Sequence, residues 1–133
     1  MALFFMEELM SEDIFRITKD RERAKDLFIM AKDRLGMIQT IPKDKTYKII
    51  EEYYEILKEL LTSLMYADGY KTLSHIKLID YFSEHYGELD NFQIKLIDTL
   101  RKFRNDIVYY GKRISHNFLI NHKSGIENII KRL

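Results

Sequence analysis

Residues 101–113, RKFRNDIVYYGKR, carry five basic side chains around an Arg-Asn-Asp run, a single acid and two adjacent tyrosines. These residue types suit the handling of phosphate. Arginine offers a planar, two-pronged donor set, asparagine adds a neutral donor, and tyrosine donates a hydrogen bond or stacks on a base. On a helix, at roughly 100° per residue, Tyr109 lines up with Asn105 and Arg101, whereas Tyr110 falls on the apolar stripe and reads as packing. Arg104 borders that stripe among Ile97, Leu100, Val108 and Gly111. A cation in such surroundings needs a partner, and a carboxylate from another helix or a ligand phosphate would serve equally. Arg104, Asn105, Arg101, Lys112 and Arg113 are therefore candidate phosphate- or RNA-binding residues, and Arg104 and Tyr109 are the candidates for any catalysis. His75, at the first turn of its own helix, is either a capping neighbour or a further lining residue.

Other chemistries find little footing. His85, His116 and His122 read as solvated, no two histidines stand four apart, and no acid joins one in a tight ligand cluster, so neither metal nor cofactor is expected. Ser74, beside His75, is a helix cap before it is a nucleophile. There is no G-x-S-x-G elbow, phosphate-binding glycine loop or dinucleotide fingerprint. With no cysteine there is no disulfide framework or thiolate chemistry, and the cytoplasm is the expected compartment. The opening MALFFMEELMSED lacks a basic leader and is interrupted by Glu7 and Glu8. It reads as neither a signal peptide nor a membrane span, but as part of an N-terminal docking segment over residues 1–18, with no membrane partner expected.

The net charge of +1 conceals an asymmetry. Residues 1–100 carry 14 Lys and Arg against 19 Asp and Glu, and residues 101–133 carry 8 against 2, so a basic C-terminal quarter is joined to an acidic body. The fitting partner is anionic: RNA, a nucleotide or an acidic protein surface, including that of a second copy. Broad binding to duplex DNA does not fit so local a basic footprint.

The elements that must position these residues are helices. One proline and five glycines in a chain rich in Leu, Ile, Lys and Glu favour helix over strand, and 133 residues are enough for one core and one domain. Ala24, Leu27, Phe28, Ala31 and Leu35 predict a helix from about Asp20 to Gly36. After Pro42, Tyr53, Leu57, Leu60, Leu64 and Ala67 predict a long helix from about Lys45 to Tyr66 that ends at the ADGY turn, its Glu51, Glu52, Glu55, Lys58 and Glu59 forming a solvated face. Ser74 caps a shorter helix that buries Ile76, Ile79, Phe82 and Tyr86 and stops at Gly87. Asp90 and Gln93 resemble a capping box opening the helix of the basic stretch, whose stripe runs through Phe92, Leu96, Leu100, Phe103, Ile107, Tyr110 and Ile114. A last helix ends in GIENIIKRL, with a break expected at Ser124 and Gly125. The fold class is all-α, an antiparallel bundle of four to five helices with short connections.

Arg104-Asn105, followed by Asp106, Ile107 and Val108 and then an aromatic residue, resembles the signature of HEPN domains, small helical proteins common in prokaryotic toxin–antitoxin and defence systems. GYKTLSHIKLIDYF and LRKFRNDIVYYGKRI are the segments that look most like the family, and the likeness extends to the helix order over most of the chain. In active members an arginine on a late helix contacts the scissile phosphate and a histidine handles protons, without metal, as the 2′-hydroxyl of RNA attacks. The site typically forms where two copies meet. The resemblance thus implies a HEPN-like bundle, a homodimer, and Arg104 and Asn105 as phosphate-facing residues. Tyr109 occupies the position of the histidine, and a phenol is a poor general base at neutral pH. Three readings follow: an RNA- or nucleotide-binding module with little or no nuclease activity; a metal-independent ribonuclease toxin in which Tyr109, aided by His75, replaces the histidine; and a structural or regulatory dimer docking on an acidic partner such as a nucleotidyltransferase-type antitoxin.

Overall fold

The computed structural model describes residues 8–11 and 13–133. It is an all-α bundle of five helices, α1 Arg21–Ile38, α2 Thr46–Asp68, α3 His75–His85, α4 Asn91–Tyr110 and α5 His116–Arg132, with a small sheet at one end. Strands β1 Glu8–Ser11, β2 Ile14–Arg16 and β3 Tyr70–Thr72 pair antiparallel in that order, with Ile14 opposite Thr72 and Arg16 opposite Tyr70. The part of the N-terminal docking segment at residues 1–7 and 12 lies outside the described residues. No helix among the described residues is long and apolar enough to cross a membrane.

The central element is α2, against which α1, α3, α4 and α5 all pack. Its seam is wider than the 4,3,4,3 spacing suggests. Ile50, Tyr53, Tyr54, Ile56, Leu57, Leu60, Leu61 and Met65 are all buried, spanning about half of the helix circumference. Ile97 and Leu100 of α4 and Ile126 and Ile129 of α5 complete the inaccessible centre. The acidic face expected on α2 is not solvated throughout. Glu59 is buried, its Oε1 accepting from Arg34 Nε at 2.8 Å, and the same arginine reaches Glu52 at 3.3 Å. Burial pushes the Glu59 carboxyl above the usual carboxylate range, with Arg34 opposing.

Local signals set most helix ends. Asp20 caps α1 and Ser74 caps α3 by accepting from backbone amides, and Asp90 with Gln93 forms the full capping box of α4. Gly69, at φ +91°, closes α2, and Ile17 N donates to its carbonyl at 2.8 Å, tying the segment before α1 to the end of α2. Elsewhere packing overrides the breakers. Gly36 lies inside α1, and Ser124 and Gly125 lie inside an unbroken α5, where Gly125 faces Leu96 Cδ2 closely enough that a Cβ would sit 3.5 Å from it.

The basic helix ends earlier than its apolar stripe suggests. Gly111 adopts φ +61° and caps α4, its amide bonding to Asp106 O and Ile107 O, so Ile114 is not on the helix and Tyr110 sits in a final turn that overhangs the core. Tyr110 is 74% exposed and Phe92, at the other end of the stripe, 69%. Neither is core packing, and Ile76 on α3 is likewise half exposed rather than buried.

Candidate functional site

An open depression of about 290 Å³ lies between the start of α3 and the last turns of α4. Leu73, Ser74, His75 and Ile76 form one wall, and Arg101, Arg104, Asn105 and Tyr109 the other. The structure thus brings together five of the seven residues singled out in the sequence. Lys112 and Arg113 are not among them. They lie beyond the Gly111 cap and line a separate hollow against the start of α2.

Arg104 and Tyr109 leave an ideal helix about 140° apart, yet they converge. The guanidinium carbon of Arg104 stands 5.9 Å from the centre of the Tyr109 ring, a separation within cation–π range. The reach of the arginine side chain achieves this within one regular helix. Arg104 Nη1 also donates to Asn105 Oδ1 at 3.2 Å.

The carboxylate anticipated as a partner is present but loose. Glu55 Oε1 of α2 lies 3.9 Å from Arg104 Nη2, while the other oxygen of that carboxylate takes Lys58 at 2.8 Å. Arg101, by contrast, is anchored through Nε to Asp98 Oδ1 at 2.8 Å. Although burial works against it, this hydrogen bond, the Arg101 charge and Lys102 hold the Asp98 carboxyl below its ordinary range.

His75 belongs to the depression. Its Nδ1 lies 3.0 Å from the hydroxyl of Tyr54, a residue otherwise buried in α2. Burial lowers the His75 pKa from its ordinary value, the cations Lys58, Arg104 and Arg101 lower it further, and Glu55 opposes. The imidazole is therefore neutral at neutral pH. Burial pushes the Tyr54 phenol up, with Arg101 and Arg104 opposing, so it too remains protonated. The pair has two hydrogen-bonded forms. If Tyr54 donates to Nδ1, Nε2 carries the proton; if Nδ1–H donates to Tyr54, Nε2 is a free base.

The other histidines lie elsewhere. His85 stacks on Tyr81, His116 bonds to Thr46 Oγ1 at 3.0 Å, and His122 packs against Phe118. Tyr54, Glu55 and Lys58 are the neighbours that sequence reasoning missed, Glu55 and Lys58 reading there as part of the solvated face of α2. The available signal was the phenol, since a buried tyrosine hydroxyl normally requires a partner.

Comparison of the chain with protein-family models, with curated proteins and with solved structures gives no match.

Proposed function

We propose that the chain is a HEPN-like module that binds RNA through phosphate, with Arg104 and Asn105 as the phosphate contacts, Arg101 adding charge and Tyr109 offering a ring face or hydroxyl to a base. One observation carries this reading. Arg104 sits in an open depression beside a second arginine, with its nearest carboxylate 3.9 Å away and already engaged by Lys58. An arginine serving only as a structural ion pair would be expected to hold that carboxylate closely and in two-pronged fashion. The proposal includes a homodimer, with the second copy meeting this rim. Leu73 and Ile76, 89% and 51% exposed, supply apolar surface there.

His75 favours a second reading, metal-independent cleavage of the bound strand. In that reaction the 2′-oxygen forms a bond to phosphorus and the bond to the 5′-oxygen breaks. A neutral His75 takes the hydroxyl proton, and solvent protonates the departing oxygen.

The test is a gel-shift and cleavage assay in EDTA with wild-type chain and Arg104→Ala, the fold of each checked by circular dichroism. A shift in wild type that is lost in a folded Arg104→Ala is expected. Equal shifts in both proteins, or none in either, would refute the binding module. Cyclic-phosphate ends that vanish in His75→Ala would support the second reading, and intact RNA after long incubation would count against it.

A further inference from the structure

The basic surface continues past the Arg104 depression. Alongside the last turn of α4 and the residues after its Gly111 cap lies a larger hollow of about 780 Å³, walled by Lys45, Thr46 and Tyr47 at the start of α2 and by Val108, Lys112 and Arg113. Asp44 and Glu51 share its lining, so the three cations outnumber the acids by one. Lys112 is only loosely committed, with Asp106 at 3.9 Å and its ammonium 5.7 Å from the Tyr110 ring centre. Lys43 and His116 extend the same edge, and the bond from His116 to Thr46 pins the start of α5 to the start of α2.

Three tyrosines accompany these charges. Tyr47 in the hollow, Tyr109 in the depression and Tyr110 at the overhanging end of α4 are 50%, 67% and 74% exposed. Cations that follow a backbone, interleaved with exposed rings, are what unpaired bases require, because each base presents a face on which to stack. A duplex would leave these rings without exposed base faces. Arg104 and Gly111 are seven residues apart, roughly 10 Å along the helix axis, or about three nucleotides at the ~3.4 Å rise of a stacked strand.

We propose that the Arg104 depression is one end of a single-stranded RNA track that continues through the hollow between α2 and the end of α4. The ligand is then an oligonucleotide of several residues rather than a mononucleotide. This rests on the phosphate-binding reading of Arg104 given above.

The experiment compares fluorescently labelled oligouridylates of about four and about twelve nucleotides, lengths within the site sizes of single-strand binders, by anisotropy over a range of salt. Wild-type chain is expected to bind the longer strand at least about tenfold more tightly. The double variant Lys45→Glu/Arg113→Glu, at exposed positions and with its fold checked by circular dichroism, loses that advantage and flattens the salt slope by about 1.4, two charges at ~0.7 each. It weakens binding of the short strand, which reaches only the near edge of the hollow, less than binding of the long one, whereas Arg104→Ala weakens both. Equal wild-type affinity for the two lengths, or a length advantage that survives the double reversal, overturns the track while leaving the Arg104 reading intact. Absence of binding to either strand overturns both. Polyglutamate competing as well as the twelve-nucleotide strand would identify an acidic polypeptide surface as the partner and overturn the RNA assignment.

Discussion

Replacing Arg104 separates its two possible roles, ligand contact and structural ion pair. A charge-assisted hydrogen bond contributes about 1.5–3 kcal/mol. Against this stand the interactions Arg104 gives up on engaging phosphate: a 3.2 Å bond to its neighbour Asn105 and a 3.9 Å contact with Glu55. The second is an ion pair at the edge of contact and partly solvated, worth about 0–1 kcal/mol. The net loss on Arg104→Ala is therefore about 0.5–3 kcal/mol, a fall in RNA affinity of roughly two- to 150-fold. Removal of one phosphate-neutralising cation should also lower the slope of log affinity against log salt by about 0.7. Arg104→Lys keeps the charge but not the planar fork, so it should keep the slope and recover only part of the affinity. Fold stability should hardly change, because Glu55 retains Lys58 at 2.8 Å when Arg104 is gone. The assay is fluorescence anisotropy with a labelled single strand at several salt concentrations, beside urea denaturation of each variant. Unchanged affinity and slope in Arg104→Ala, accompanied by a stability loss of more than about 1 kcal/mol, would show that the arginine is a structural ion pair after all.

Tyr54→Phe removes a 3.0 Å hydrogen bond to His75 without changing the buried ring. Urea denaturation should show a loss of about 1 kcal/mol, and the His75 resonance should titrate differently by NMR; an identical titration curve would mean that the bond is not made in solution. The lowered pKa of His75 has a defined sign in stability. Below the ordinary value of about 6.5 the unfolded chain takes up its histidine proton before the folded chain does, so the His75 contribution is complete above that pH and lost as pH falls through the folded value. Denaturation midpoints across this range should fall more steeply for wild type than for His75→Gln, and parallel curves would contradict the assignment. Arg34→Met strands the Glu59 carboxylate in its buried position. The expected loss is about 2–3 kcal/mol, below the range for fully buried pairs because the Arg34 side chain is itself partly wet. Adding Glu59→Gln should recover much of it, and a double variant no more stable than Arg34→Met would argue against the stranded charge.

What could be read in advance divides by the range of the interaction. Ser74, Asp90 with Gln93, and Gly69 act on backbone groups within three or four residues, and their caps are where the sequence indicates. Gly36 and the Ser124–Gly125 pair are breakers only in an isolated helix, where no neighbouring surface offsets their cost. Here Gly125 instead meets Leu96 at close range, a contact between α5 and α4 that no local rule contains. Gly111 erred in the opposite direction, for an apolar period that continues to Ile114 conceals a left-handed cap at residue 111. Lys112 and Arg113 consequently line a hollow separate from that of Arg104. The pair formed by Arg104 and Asn105 was legible because both stand on one helix, but His75 and Glu55 reach it from α3 and α2, and only the packed bundle determines that. The same distinction explains why the ion-pair and ligand readings of Arg104 balanced in the sequence. A helix period shows that a cation borders a core, whereas its need for a ligand depends on how far away the nearest carboxylate lies and what else that carboxylate already holds. Glu55 at 3.9 Å, with Lys58 at 2.8 Å on the same carboxylate, supplies both pieces of information, and the proposed ligand role of Arg104 rests on them.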